Sequence, residues 1–416
     1  MQKRKVIIVG GGLTGLSAAY ELSEYENFDI HLIEKNNQLG GRVHSCCING
    51  QMRDVGGFLV YPWYKHYHKL IKELRLTEEL VKVPLARDYF ASYEKSHDKY
   101  DEGFKFSFKD IMEIFIRIFP NPIIDSDPTE PELHAYHDLT IHDYLKNLNM
   151  ESEKTNYYLR VFDTYLQGYC YSSVTDHKMA FMAATLFQNI IHGDVHSASY
   201  LKNGSKVFID AMQEKLEKRG VQIHYNCMFE EINNNQLISS QGVMVADDYI
   251  FCHTPFEVRY SKFITATISY SGIAQVEGDH DWGSCFYKED PQLLFAVLSI
   301  VNLEKLYTEK TSQHLNLNIK VNNQMTTNIS SADLLEIIKT EMQVHFKDIT
   351  VLQLVNRVDW EKAMPIVEED FVEFARSKQG INNFYYAGDF MGCPSMETAL
   401  VNGKRAANKL MQNINT

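Results

Sequence analysis

Three glycines near the start of the chain, Gly10, Gly12 and Gly15, have the G-x-G-x-x-G spacing of a dinucleotide-binding turn. They follow a short apolar run from Lys5 to Val9 and open an amphipathic stretch from Leu13 to Leu22, so the pattern predicts a strand, a turn and a helix. In such a unit the first glycine allows a tight turn, the second lets the backbone approach a pyrophosphate, and the third lets helix and strand pack closely. The segment therefore predicts nucleotide binding.

Two further features of this unit add predicted nucleotide contacts. The N–H groups at the start of the helix, at Leu13 and Thr14, would bind phosphate oxygens. A second predicted strand, Asp29 to Ile33, delivers Glu34 about 20 residues beyond the last glycine. A carboxylate there can accept a hydrogen bond from a ribose 2′-hydroxyl and would repel a 2′-phosphate, so NADP is disfavoured. Lys35 follows directly and is included in the predicted site.

A matching strand–turn–helix unit stands near the other end of the chain. Phe384 to Ala387 is predicted to be a strand, Gly388 and Asp389 a turn, and Ser395 to Leu410 a helix that begins after Pro394. Two halves of one nucleotide site would therefore be separated by almost the whole chain. This order predicts that a second domain is inserted between them.

The loop sequences between these units carry a family resemblance. Gly40-Gly41-Arg42, followed by Asp54-Val55-Gly56-Gly57 and Phe58, resembles the extended dinucleotide motif and the flavin-contacting loop of the flavin-containing amine oxidoreductases. That superfamily also includes protoporphyrinogen oxidases and phytoene desaturases. The resemblance implies an α/β fold in which a Rossmann-like FAD-binding domain is interleaved with an α+β substrate domain, and it implies FAD as the cofactor.

The resemblance also assigns expected flavin contacts to the C-terminal unit. It places the turn of Gly388 and Asp389 near the flavin's ribityl chain and pyrophosphate. The helix that begins at Ser395 would point its N-terminus at the flavin's pyrimidine edge, where the N–H groups near Met396 and Glu397 would stabilise negative charge at N1 and O2 of the reduced flavin.

Weaker landmarks of the same family lie in the middle of the chain. A backbone contact to the adenine would fall at Met228 or Phe229. Trp360, Ala363 and Pro365 match a W-x-x-A-x-P pattern that the family places next to the flavin. The expected division is a discontinuous FAD-binding domain of residues 1–57, 201–255 and 346–416 and a substrate-binding domain of residues 58–200 and 256–345.

Two departures from the family bear on the reaction. Monoamine and polyamine oxidases carry an aromatic residue just before the Met-Glu pair, where this chain has Ser395, and a lysine on a strand of the substrate domain, whereas the similar strand Phe263 to Tyr270 has none. We therefore expect an FAD-dependent oxidoreductase that oxidises a CH–NH or CH–CH bond of a small to medium, apolar or aromatic substrate by hydride transfer to flavin N5. The alternative is a flavoprotein that keeps the fold for binding, regulation or a redox-neutral isomerisation. No catalytic acid or base is assigned.

Composition limits the partners. A net charge of −13 over 416 residues argues against nucleic acid and against binding to anionic membranes. No apolar run approaches the roughly 18 residues of a membrane span, so a cytoplasmic location is expected. The seven cysteines have no metal-ligand spacing, and His66 and His68 lack a third ligand nearby, so no metal is expected. The expected partners are a small-molecule substrate and, as electron acceptor, O2 or a quinone, while the oligomeric state stays open.

Overall fold

The computed structural model describes most of the chain. It covers residues 3–83, 108–116, 127–129, 139–192, 197–253, 258–272, 283–287, 295–302, 313–321, 329–346, 348–367 and 369–415. Of the apolar segment from Phe104 to Phe119, only residues 108–116 belong to this set. Pro255, where the chain is expected to leave the nucleotide-binding part, also lies outside the described residues.

A five-stranded parallel sheet is the centre of the nucleotide-binding part. Its strand order is β17-β11-β1-β2-β7, so the first and last strands of the chain belong to one sheet. Its central strand is completely apolar from Val6 to Val9, as expected for a strand that is covered on both faces. The elements of this part are β1 (Arg4–Val9), α1 (Leu13–Leu22), β2 (Phe28–Ile33), β3 (Ser45–Ile48), β4 (Gln51–Asp54), α2 (Lys65–Glu73), β5 (Leu80–Lys82), β6 (Ser199–Leu201), α7 (Lys206–Lys218), β7 (Gln222–His224), β8 (Phe229–Asn233), β9 (Gln236–Ser239), β10 (Gly242–Met244), β11 (Asp248–Phe251), β17 (Phe384–Tyr386) and α10 (Met396–Asn415).

A second, antiparallel sheet belongs to the other part of the chain. Its order is β13-β14-β15-β12-β16, and the helix α8 covers it through Leu334, Ile338 and Met342. Strand β16 pairs with β12 along most of its length, so this sheet extends beyond the boundary expected at residue 346. The elements are β12 (Phe263–Gly272), β13 (Gly283–Tyr287), β14 (Phe295–Asn302), β15 (His314–Val321), α8 (Ser331–His345) and β16 (Ile349–Trp360). The next helix, α9 (Glu369–Ser377), packs through Ala375 against Phe390 and Met391 in the turn before the C-terminal helix.

A group of helices with its own apolar core lies between β5 and β6 in the sequence. Ile114, Tyr144, Phe162 and Phe187 are buried in that core, and Cys393, from the turn before α10, joins them. The helices are α3 (Phe108–Phe115), α4 (Ile141–Asn147), α5 (Ser152–Tyr169) and α6 (Met179–His192). None of the helices within the described ranges is both long and apolar enough to cross a membrane.

The first and last helices pack closely against each other. Ser17 of α1 donates a 2.6 Å hydrogen bond to the carbonyl oxygen of Leu400 in α10. A Cβ atom added to Gly403 would stand 2.1 Å from the carbonyl oxygen of Thr14, so only glycine permits this approach. Contact between α1 and α10 joins the two ends of the chain beside the parallel sheet. The predicted α/β fold with a Rossmann-like unit is confirmed.

Candidate FAD-binding site

The glycine turn after β1 leaves room in front of helix α1. Gly10 has a φ of +107°, and a Cβ atom on Gly15 would lie 1.9 Å from the Gly10 carbonyl oxygen, so both positions require glycine. A Cβ atom on Gly12 would meet only the Gly41 Cα, at 3.9 Å. No side chain of the described residues caps α1 at Gly12. The amides of Leu13 and Thr14 at this helix end are therefore available to an anion.

Glu34 closes one side of this turn. Its side chain is buried, and Oε2 accepts a 2.8 Å hydrogen bond from the Gly11 amide. Oε1 accepts hydrogen bonds from the backbone and side-chain nitrogens of Asn36, at 2.9 and 2.8 Å. These bonds fix the carboxylate at the end of β2, where a ribose would approach. Lys35, next to it, is exposed.

Arg42 connects the N-terminal loop to the C-terminal turn. Its Nη2 donates to Asp389 Oδ1 at 2.6 Å, and its Nη1 donates to the Ala363 carbonyl oxygen at 2.8 Å. The Asp389 side chain is 7% exposed and that of Arg42 is 39% exposed. Asn402 of α10 donates to the Gly388 carbonyl oxygen and so holds the same turn. Both predicted halves of the site, including the W-x-x-A-x-P segment, therefore meet at one guanidinium group.

The segment Gly56–Phe58 lies between Arg42 and helix α10. The Gly57 amide donates to the Arg42 carbonyl oxygen at 3.0 Å, and a Cβ atom on Gly56 would stand 2.1 Å from that oxygen. A Cβ atom on Gly57 would approach the Met396 Sδ to 3.9 Å. Gly57 itself is exposed, and Phe58 is half-buried. The structure thus places Gly57 close to Met396, the first residue of α10, and the flavin contact of this segment stays a prediction.

Ser395 caps helix α10. Its Oγ accepts a 3.0 Å hydrogen bond from the Thr398 amide and donates to Thr398 Oγ1. Ser395 therefore explains where the helix begins, one residue later than the sequence predicts, and the helix continues to Asn415 rather than ending at Leu410.

The Glu397 side chain has a role that the sequence did not indicate. Its Oε1 accepts a 2.6 Å hydrogen bond from the His66 amide, and its Oε2 accepts a 2.9 Å bond from the Tyr67 amide. The second residue of α10 thus caps the first turn of α2. Burial raises the pKa of the Glu397 carboxyl, whereas the bonds from the two amides lower it, and the net direction is upward.

Tyr64, the residue just before α2, is a further buried group at this point, and no motif in the sequence marked it. Its ring packs edge-on against Trp63, with ring centroids 4.5 Å apart. Burial and the neighbouring Glu397 carboxylate raise the pKa of the Tyr64 hydroxyl, against the opposing effects of Ser395 and of the Met396 backbone. Tyr64 thus belongs to the same cluster as the N-terminus of α10.

Trp360 lies at the end of β16 and faces strand β12. Its Nε1 donates a 3.0 Å hydrogen bond to Thr265 Oγ1, and its ring is nearly parallel to that of Phe263, 6.0 Å away. Thr265 Oγ1 also lies 3.1 Å from the Val55 carbonyl oxygen, next to Gly56. Strand β12 therefore contacts Val55, the residue before Gly56, through a threonine, and it has no lysine along its length.

The two residues expected to contact the adenine, Met228 and Phe229, have different surroundings. The Met228 amide donates to Ser240 Oγ, and the Met228 carbonyl oxygen accepts from the Ser240 amide, both at 2.9 Å. Its side chain is 49% exposed. Phe229, half-buried, begins β8 and packs edge-on against Phe251 of the parallel sheet. Because Ser240 occupies the Met228 amide, the geometry favours Phe229 for an additional backbone contact.

The absence of a metal site stays a prediction. Within the ranges given above, no three side chains of His, Cys, Asp or Glu come together as metal ligands would. His66 and His68 both lie on α2 and are half-buried, and the His68 ring contacts the Tyr61 carbonyl oxygen.

Known sequences match parts of the chain. The family model described as an NAD(P)-binding Rossmann-like domain matches residues 8–74. The 4,4'-diaponeurosporene oxygenase of Staphylococcus haemolyticus is 33% identical over 98 residues, which is 23% of this chain and 19% of that protein. The flavin-containing amine oxidase A of Sus scrofa is 38% identical over 79 residues, 19% of this chain and 15% of that protein. The matches thus span less than a fifth of the relatives' length.

Solved structures match over the whole length. Cyclohexylamine oxidase from Brevibacterium oxydans superposes with a TM-score of 0.69 at 14% identity and covers 100% of both chains. The chain has the fold of the flavin-containing amine oxidoreductase superfamily. A fatty acid isomerase from P. acnes has the same fold, with a TM-score of 0.70 at 13% identity over 97% of each chain. The superfamily fold therefore accommodates proteins named for different reactions.

Proposed function

We propose that the chain is an FAD-dependent oxidoreductase. The observation that carries this proposal is the contact of Arg42 with both Asp389 and the Ala363 carbonyl oxygen. It joins the loop after the glycine turn to the two C-terminal segments that the family uses around its flavin. The flavin-containing amine oxidase and the carotenoid oxygenase among the relatives support the same cofactor and reaction class.

The residues present fit FAD. The space before Gly12 and Gly41 and the uncapped start of α1 suit a pyrophosphate, because amides there point toward an anion. Glu34 suits the ribose, and Arg42 adds a positive charge near the pyrophosphate. The Gly56–Gly57 backbone and the N-terminus of α10 would hold the flavin ring. Each part of the cofactor thus has a matching group.

When bound, FAD would accept a hydride at N5 from a substrate carbon. The chain's own contribution would be to orient the two reactants and to exclude water. Trp360, Phe263 and Tyr171 form a set of nearly parallel aromatic rings beside the Ala363 segment, which favours an apolar or aromatic substrate. We propose that a CH–NH or CH–CH bond is oxidised and that O2 or a quinone takes the electrons. The cytoplasmic location stays a prediction.

The test begins with the visible absorption spectrum of the purified protein and of the supernatant after denaturation. We expect two bands near roughly 370 and 450 nm that follow a released flavin identified as FAD by chromatography. Amines and polyenes are then added under anaerobic conditions. We expect one of these two substrate classes to bleach the longer-wavelength band, and we expect air to restore it. A colourless protein that does not bind added FAD would refute the proposal.

A redox-neutral flavoprotein is the second candidate. Strand β12 is similar to the strand on which the amine oxidases of the superfamily carry a lysine, but it has no lysine, and its Thr265 hydroxyl is bonded to Trp360. A neighbour in fold is named a fatty acid isomerase. An isomerase would convert its substrate without consuming O2 and without a lasting loss of the flavin bands. Measuring O2 uptake beside product formation separates the two candidates.

A further inference from the structure

The two faces of strand β15 differ in character. Leu315, Leu317 and Ile319 are buried together with apolar residues of helix α8. His314 and Asn316 alternate with them along the strand and therefore lie on the opposite face. Both polar residues are nevertheless buried, with exposed fractions of 5% and 3%. A strand with this alternation normally leaves its polar face in water, so another segment must cover the polar face of β15.

The covering segment is the β3–β4 hairpin with the loop that follows it. The Asn316 Nδ2 group donates a 2.7 Å hydrogen bond to the carbonyl oxygen of Asp54, the last residue of β4. The carbonyl oxygen of the next residue, Val55, lies 3.1 Å from Thr265 Oγ1 on β12. Two side chains of the antiparallel sheet thus contact the backbone that leads directly into Gly56.

The Asn316 side chain has one orientation that satisfies its neighbours. Because the Asp54 carbonyl oxygen can only accept a hydrogen bond, the nitrogen of the Asn316 amide must face it. The oxygen of the amide then accepts a 2.6 Å hydrogen bond from Thr267 Oγ1, a buried hydroxyl on β12. Both ends of the Asn316 amide are therefore bonded, and the side chain is fixed between the sheet and the loop.

The amide groups of the same loop are bonded to the N-terminal part of the chain. The amides of Val55 and Gly56 donate to the His44 carbonyl oxygen, at 2.9 and 3.1 Å. The Gly57 amide donates to the Arg42 carbonyl oxygen at 3.0 Å. The loop is thus held from two sides, by the antiparallel sheet and by the segment after the glycine turn. A loop that is already ordered costs less free energy when a ligand binds to it.

We propose that Asn316 is a positioning residue for the proposed cofactor site, which through the Asp54 carbonyl group keeps the Gly56–Gly57 backbone in its FAD-binding position before FAD arrives. This inference rests on the proposed function. The antiparallel sheet, which the sequence assigned to the substrate-binding domain, thereby also contributes to cofactor binding. No motif in the sequence marks Asn316.

The test compares Asn316→Leu with His314→Leu, which is a matched control. His314 is buried on the same face of the same strand, and its Nε2 lies 3.2 Å from Nδ2 of Asn49 in the hairpin turn, away from the loop. Two quantities are measured on the full chain. One is the Kd of FAD, and the other is the deuterium uptake, without FAD, of peptides that contain the amides of residues 55–57.

We expect N316L to raise the Kd of FAD about 5- to 10-fold, because the loop loses one hydrogen bond and must then be ordered when FAD binds. The same variant should take up deuterium faster at residues 55–57. H314L should leave both quantities close to their wild-type values. Wild-type values in N316L, or equal changes in N316L and H314L, would overturn the inference while leaving the proposed function intact.

A substitution of Thr267 tests the same contact if N316L does not fold. Thr267→Val keeps the shape of the side chain but removes the hydroxyl that orients the Asn316 amide, whereas Thr267→Ser keeps the hydroxyl. We expect T267V to raise the Kd of FAD about 3-fold and T267S to retain wild-type affinity. Equal FAD affinities in T267V and T267S would overturn the inference. A wild-type protein that does not bind FAD refutes the proposed function and this inference together.

Discussion

Arg42 and Asp389 are separated by 347 positions in the sequence, yet their side chains form a 2.6 Å hydrogen bond. This bond connects the two halves of the proposed cofactor site, because Arg42 lies in the loop after the glycine turn and Asp389 lies in the turn before α10. The second guanidinium bond, to the Ala363 carbonyl oxygen, adds a third segment. The folding of the site thus depends on bringing together segments that are far apart along the chain.

Arg42→Lys should weaken this junction although it keeps the charge. A lysine cannot donate in two fixed directions to Asp389 and to Ala363. We expect the variant to lose about 1–2 kcal/mol of unfolding free energy and to bind FAD several-fold more weakly. The matched control is Arg4→Lys, since Arg4 pairs with buried Asp248 away from the site. Urea denaturation and FAD titration of both variants test this prediction. An equal loss of FAD affinity in R4K would contradict the assignment of Arg42 to the cofactor site.

Glu34→Gln should reduce both stability and FAD affinity. The amide group of glutamine cannot accept all three hydrogen bonds that now come from Gly11 and Asn36. We expect about 1–3 kcal/mol less unfolding free energy and an FAD Kd about tenfold higher. Glu26→Gln, an exposed site before β2, serves as the control. FAD binding as tight in E34Q as in the wild type would rule out the ribose role.

Gly403→Ala should destabilise the protein although alanine is the better helix former. The added Cβ would stand 2.1 Å from the Thr14 carbonyl oxygen, so α1 and α10 would have to move apart. The expected loss is about 2–4 kcal/mol, against a gain of up to about 1 kcal/mol at an unhindered helix position. Lys409→Ala, exposed on the same helix, is the control. Thermal and urea unfolding of the apoproteins provide the measurement, and a G403A variant as stable as K409A would disprove the close contact.

His66 should make stability depend on pH. Burial, with Lys404 and Lys69 nearby and against the opposing effect of Glu73, lowers the pKa of His66 to about 4. A group whose pKa is lower in the folded state stabilises the protein above its unfolded pKa and loses that effect as the pH falls toward the folded value. The wild type should therefore lose about 1–3 kcal/mol relative to His66→Gln between about pH 6.5 and about pH 4.

The pH prediction is checked by urea denaturation of the apoproteins at several pH values. His142→Gln, on α4, is the control for the loss of a histidine elsewhere. Parallel pH curves for the wild type and H66Q would show that His66 titrates normally.

The sequence by itself determined the local units and the class of fold. Gly10, Gly12 and Gly15 required a strand, a tight turn and a helix, because each glycine has a steric reason in that unit. Short strand-like runs predicted β1, β2 and β17 within one or two residues, and the loop residues from Gly40 to Arg42 and Gly56 to Gly57 carried the resemblance to flavin-containing amine oxidoreductases. These features depend on neighbours in the chain, so they can be recognised without a structure.

Only the tertiary structure decided which distant groups meet. The Arg42–Asp389 bond and the bonds that Glu397 accepts from the His66 and Tyr67 amides join residues from different segments, and no local pattern encodes such contacts. Glu397 was expected to act through its backbone amide, which stays a prediction, and its side chain in addition caps the first turn of α2. Likewise β16 was assigned to the nucleotide-binding part, but hydrogen bonding to β12 places it in the antiparallel sheet. Which strands pair and which side chains meet across the fold depends on how the elements pack, and that packing involves residues far apart in the sequence.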